Sequence, residues 1–65
     1  MMNAKRERSF AGAADLVLHA EAASDHLREL CAACANGDKS AARRFLREAI
    51  SELEIARALI RTGLE

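Results

Sequence analysis

The chain has 65 residues, 51% of them hydrophobic, and its ten basic and ten acidic side chains cancel. That length bounds it to one small domain, which buries only about 60% of its unfolded surface. The neutral total does not mark a strongly basic nucleic-acid binder, and no apolar run reaches the roughly 18 residues of a membrane-spanning helix.

Residues 1–8, Met-Met-Asn-Ala-Lys-Arg-Glu-Arg, are polar, and we expect them to be flexible. They lack the apolar stretch and cleavage site of a signal peptide, so the expected location is cytoplasmic. From Ser9 on, the composition is that of helices. There is no proline, β-branched residues are few, and Ala, Leu, Arg and Glu dominate. Ser9 is a candidate cap for a first helix over about 10–35. Asn36-Gly37-Asp38 is the one clear breaker. Gly37 suits the left-handed residue past a helix end, and Asp38 suits the cap of the next helix, with Ser40 a second candidate. The second helix is expected over about 39–62, ended by Gly63. Residues 9–65 therefore read as an all-α, antiparallel two-helix hairpin.

At about 100° per residue, Leu16, Ala20, Ala23, Leu27, Leu30 and Cys34 fall along one stripe of the first helix. On the second helix Ala42, Phe45, Leu46, Ala49, Ile50, Leu53, Ala56, Leu59, Ile60 and Leu64 span about half the circumference. One neighbouring helix cannot cover so wide a stripe, and monomers seldom leave such patches in water. The pattern predicts a homodimer, two hairpins packed as a four-helix bundle, with Leu16, Ala20, Leu27, Leu30, Phe45, Leu46, Ile50, Leu53 and Ile60 in the core and dimer interface. A different partner supplying the missing helices is the alternative. The scarcity of bulk points the same way: Phe10 and Phe45 are the only aromatics, and alanine makes up much of the apolar fraction.

Charge is sorted by helix. The first carries Asp15, Glu21, Asp25 and Glu29 against Arg28. The second carries Lys39, Arg43, Arg44, Arg47, Arg57 and Arg61 against Glu48, Glu52 and Glu54. Pairing between the helices is the expected use of this asymmetry. A basic face for an acidic partner is the other. Together with Lys5, Arg6 and Arg8, the helix arginines keep nucleic-acid contact open, although no aromatics are placed to stack on bases.

Two constellations could carry chemistry. Cys31-Ala-Ala-Cys34 is a C-x-x-C, but it lies near a helix C-terminus, where the dipole works against a thiolate. A structural zinc needs four ligands, which only a dimer could bring together. We expect both cysteines to be small buried hydrophobes, with no metal and no cofactor. His19 and His26 are two turns apart, about 10 Å, too far to share an ion. They are expected at the edge of the core, where they would make a dimer sensitive to mild acid. No nucleophile elbow, phosphate loop or H-E-x-x-H is present, so no enzyme activity is expected.

The functional expectation is a small intracellular interaction module that binds and modulates another protein, a class common among bacterial and phage regulators. Leu18 and Ile55 are large apolar residues lying off the stripes. Ile55, ringed by Arg44, Arg47, Glu48 and Ser51, and with it Leu18, is the expected partner-binding surface.

Overall fold

The computed structural model describes residues 10–63. Two helices make up the fold, α1 over Ala13–Ala35 and α2 over Lys39–Gly63, packed side by side in an antiparallel hairpin. The segment 1–8, the cap at Ser9 and Leu64 lie outside the described residues.

α1 begins three residues later than the composition suggests. Gly12 stands at its N-cap with φ 86°, a left-handed conformation that a residue with a Cβ adopts only under strain. The Ala13 amide donates to the Phe10 carbonyl at 3.0 Å, closing a turn that keeps Phe10 outside the helix. No side chain caps this end.

The other end of α1 is tightly specified. Gly37 has φ 71°, its amide donates to the Cys34 carbonyl at 3.1 Å, and the Asp38 amide donates to the Ala33 carbonyl at 2.8 Å. This pair of bonds is a Schellman ending, which satisfies carbonyls the helix would otherwise leave open. Asp38 then starts α2: its carboxylate Oδ1 accepts from the Ala41 amide at 3.0 Å, as its position predicts. Three consecutive residues thus finish one helix, turn the chain and cap the next.

The Cα atoms occupy 45 × 26 × 9 Å. The thinnest dimension is that of one layer of helices. Domains normally bury their apolar faces between two layers or more, and here a second layer is absent among the described residues. No described helix is long and apolar enough to cross a membrane.

The turn yields a direct test. Gly37→Ala should lower stability by about 1 kcal/mol through its left-handed φ. Asp38→Ala should cost a similar ~1 kcal/mol through the lost cap, and Asp38→Asn much less. Urea denaturation at one fixed protein concentration reads both. An unchanged midpoint for both alanine variants would show that the turn does not specify the hairpin.

Candidate interaction surface

Among the described residues, the fully buried positions of the hairpin seam are all alanine. The buried side chains are Ala23 and Ala33 of α1 and Ala49 and Ala56 of α2, with Ala49 only 1% exposed. Alanine at these positions lets the helix backbones approach closely. Around them Leu16, Leu30, Phe45 and Leu59 are half-buried.

The histidines stand in this seam, in the same row as Leu16, Ala23 and Leu30, and are partly exposed at its border. His19 Nδ1 donates to Glu52 Oε1 at 2.6 Å, and both side chains are partly buried. One layer nearer the turn, His26 Nδ1 faces Glu48 Oε1 at 3.4 Å. Glu48 and Glu52 were not singled out as seam residues by sequence, because both are charged, although on the wheel Glu52 falls inside the apolar stripe and Glu48 at its edge. A signal existed: two glutamates one turn apart on α2 face two histidines on α1. Each ring faces a carboxylate across the seam.

Charge pairing between the helices departs from expectation too. Among the described residues, the ion pairs that cross the hairpin are these two histidine contacts. Arg28 pairs with Asp25 within α1 at 3.0 Å. No salt bridge joins an α2 arginine to an α1 carboxylate among the described residues. Arg44 lies 4.8 Å from the ring centroid of its neighbour Phe45.

The larger apolar side chains are elsewhere. Of the residues expected in the core and dimer interface, Leu16, Leu30 and Phe45 line the seam. Ala20, Leu27, Leu46, Ile50, Leu53 and Ile60 are exposed on the hairpin, Leu53 at 48%. Their spacing explains this. The seam row of α1 is Leu16, His19, Ala23, His26, Leu30 and Ala33, with steps of three and four. A second row in the same rhythm runs one position over: Val17, Ala20, Ser24, Leu27, Cys31 and Cys34. α2 repeats the arrangement, with Phe45, Ala49, Glu52, Ala56 and Leu59 in the seam and Leu46, Ile50, Leu53, Arg57 and Ile60 beside it. The two outer rows fall on one face of the hairpin, because reversing a helix also reverses the sense in which its residues turn about the axis. The single broad stripe read from each helix is therefore two adjacent seams, one filled and one open.

Cys31 and Cys34 belong to the open row. Both are free and exposed, so the expectation that they are buried in the hairpin is corrected. Cys34 borders a shallow depression of about 260 Å³ at the turn, with Gly37, Asp38, Lys39 and Ala42. Among the described residues no three His, Cys, Asp or Glu side chains converge as a metal site.

Leu18 and Ile55 lie on the opposite face. Leu18 is the most exposed of the large apolar side chains at 63%, and Ile55 is exposed at 43%. The His19–Glu52 contact fixes their level: Leu18 precedes His19 by one residue, and Ile55 follows Glu52 by three. Arg44 and Arg47 are exposed nearby on α2, whereas Glu48 is half-buried against His26. Arg47 lies about 80° round the helix from Ile55, toward the back of α2. Leu18 and Ile55 thus share one level of this face, Glu48 and Arg44 continue the Ile55 row toward the turn, and Arg47 stands apart from it.

Comparison of the chain with known protein families, with curated proteins and with solved structures finds no match.

The seam contacts are measurable. A double-mutant cycle on His19→Ala and Glu52→Ala should return a coupling of about 0.5–1.5 kcal/mol, the range for a partly buried polar pair. The longer, more exposed His26–Glu48 pair should couple less. Zero coupling at His19–Glu52 would remove it as a determinant of how the helices pair.

Proposed function

We propose that this chain is a protein–protein interaction module: a helical hairpin that dimerises into a four-helix bundle and, as a dimer, binds and modulates a partner protein. The observation that carries the reading is the second heptad-spaced row on each helix. One seam serves a two-helix contact. Two adjacent seams are what a helix needs when it packs against two neighbours, as every helix of a four-helix bundle does. The open rows hold Val17, Leu27, Leu46, Ile50, Leu53 and Ile60, bulkier than the alanines of the filled seam. Completing the burial of a half-exposed Leu or Ile is worth about 1 kcal/mol each. The hairpin is one layer thick, and a second hairpin supplies the missing layer.

The partner surface in this reading is the other face, centred on Leu18 and Ile55, with Arg44, Arg47 and Glu48 around them. It stays accessible when the open rows are covered. Small size, free thiols and the absence of a membrane-length apolar helix fit a reducing cytoplasm. A second reading, a nucleic-acid-associated regulator, draws on the exposure of Arg43, Arg44, Arg47, Arg57 and Arg61 along α2. It predicts duplex binding that weakens steeply with salt.

The test is Leu53→Asp. It places a charge in the centre of the open face, costing several kcal/mol when that face is buried and little when it is in water. Sedimentation should show a dimer for the wild type and a monomer for the variant at tens of micromolar. Helicity should fall on dilution, because folding and association are linked. A wild-type monomer with full helicity at that concentration would contradict the proposal. For the second surface, Ile55→Asp should leave the dimer and its melting temperature intact while abolishing partner binding.

A further inference from the structure

The open face of a hairpin can be covered by a second copy in two ways that keep all neighbouring helices antiparallel. With the two-fold axis along the bundle, both turns lie at the same end and each α1 packs beside the other copy's α2. With the axis across the bundle, the turns lie at opposite ends, and α1 packs on α1 and α2 on α2. The apolar rows accept either arrangement. Charge does not. We infer that the second copy docks with both turns at the same end, each α1 against the other copy's α2. This rests on the dimer proposed above and goes beyond it by fixing the arrangement.

The observations are the sign and position of the charges. α1 has an acidic surplus of three, from Asp15, Glu21, Asp25 and Glu29 against Arg28. α2 has a basic surplus of three, from Lys39, Arg43, Arg44, Arg47, Arg57 and Arg61 against Glu48, Glu52 and Glu54. This asymmetry is not consumed inside the hairpin: the crossing ion pairs use His19 and His26, and no described α2 arginine bridges to an α1 carboxylate. The wheel positions sharpen the point. Arg43 and Arg61 border the open row on the outer side of α2 with Glu54 beside them, and Lys39 and Arg57 lie in the row itself. The corresponding border of α1 carries Glu21 and the Asp25–Arg28 pair. Packing α2 on α2 lays two basic borders together along the bundle. Packing α2 on α1 instead sets each basic side of α2 beside an α1 border on which Asp25 and Arg28 neutralise each other and Glu21 leaves one net negative charge, twice per dimer. Such flanking charges select helix partners and orientation even where each pair is individually weak.

Two measurements decide the matter. The first uses wild-type protein: the dissociation constant by sedimentation equilibrium at 50 and 500 mM sodium chloride. Complementary borders are screened by salt, so the dimer should weaken roughly fivefold or more. A dimer that tightens with salt would mean like borders are in contact and would overturn the inference. The second places a spin label on the exposed turn as Asn36→Cys, with Cys31→Ala and Cys34→Ala. At helix spacings of about 10 Å, turns at one end put the two labels roughly 20–25 Å apart. Turns at opposite ends put them about 40 Å apart, one helix length. A dimer with the long distance overturns the inference and leaves the dimer proposal standing. A wild-type monomer at 200 µM overturns both. Should the labelled variant lose the dimer, the wild-type salt dependence decides alone.

Discussion

The close, small-residue seam between α1 and α2 governs the rest of the molecule. Ala23, Ala33, Ala49 and Ala56 are its buried side chains. Alanine fills little space, and the large aliphatic residues of the row one position round each helix are left outside. The His19–Glu52 and His26–Glu48 contacts give that seam its register. The seam therefore gains little from apolar burial, since alanine removes the least surface from water of any apolar side chain except glycine. A hairpin built this way has a defined pairing and an unfinished core.

Much of the fold was legible in the sequence, and the reasons are local. Gly37 and Asp38 announce the turn because each does something few residues can: one adopts positive φ, the other accepts an amide hydrogen bond at a helix start. The absence of proline and the dominance of strong helix formers settle the class. The start of α1 was read less well. Ser9 offers a plausible cap by type, but Gly12 at φ 86° interrupts the helix before Phe10 can join it.

The site was legible only in part. A helical wheel reports which residues share a side of one helix, not which of two neighbouring sides a partner takes. Leu16, Leu27 and Cys34 fall close together on that wheel, yet Leu16 enters the seam while Leu27 and Cys34 remain in water. The deciding factor is position along the helix: a seam with steps of three and four drifts round a 3.6-residue helix, so Leu16 and Cys34, eighteen residues apart at one wheel angle, fall on different sides of it. The histidines were hidden for a related reason. Polarity argues against a core position until Glu48 and Glu52 are seen to face them, and that pairing spans more than twenty residues of chain. The apolar stripe counted residues correctly but merged two seams into one.

The central proposal is that a second copy covers the exposed rows. The native thiols report on it directly, since Cys31 and Cys34 stand in the open row and are free and exposed on the single hairpin. The measurement is the rate at which a soluble disulfide reagent modifies wild-type protein across concentrations from about 1 to 200 µM. Per-thiol reactivity should fall as concentration rises through the dimer dissociation constant, in step with the sedimenting mass. Thiols that react at one constant rate throughout, on a chain whose mass doubles over the same range, would place the dimer contact on another face and contradict the account.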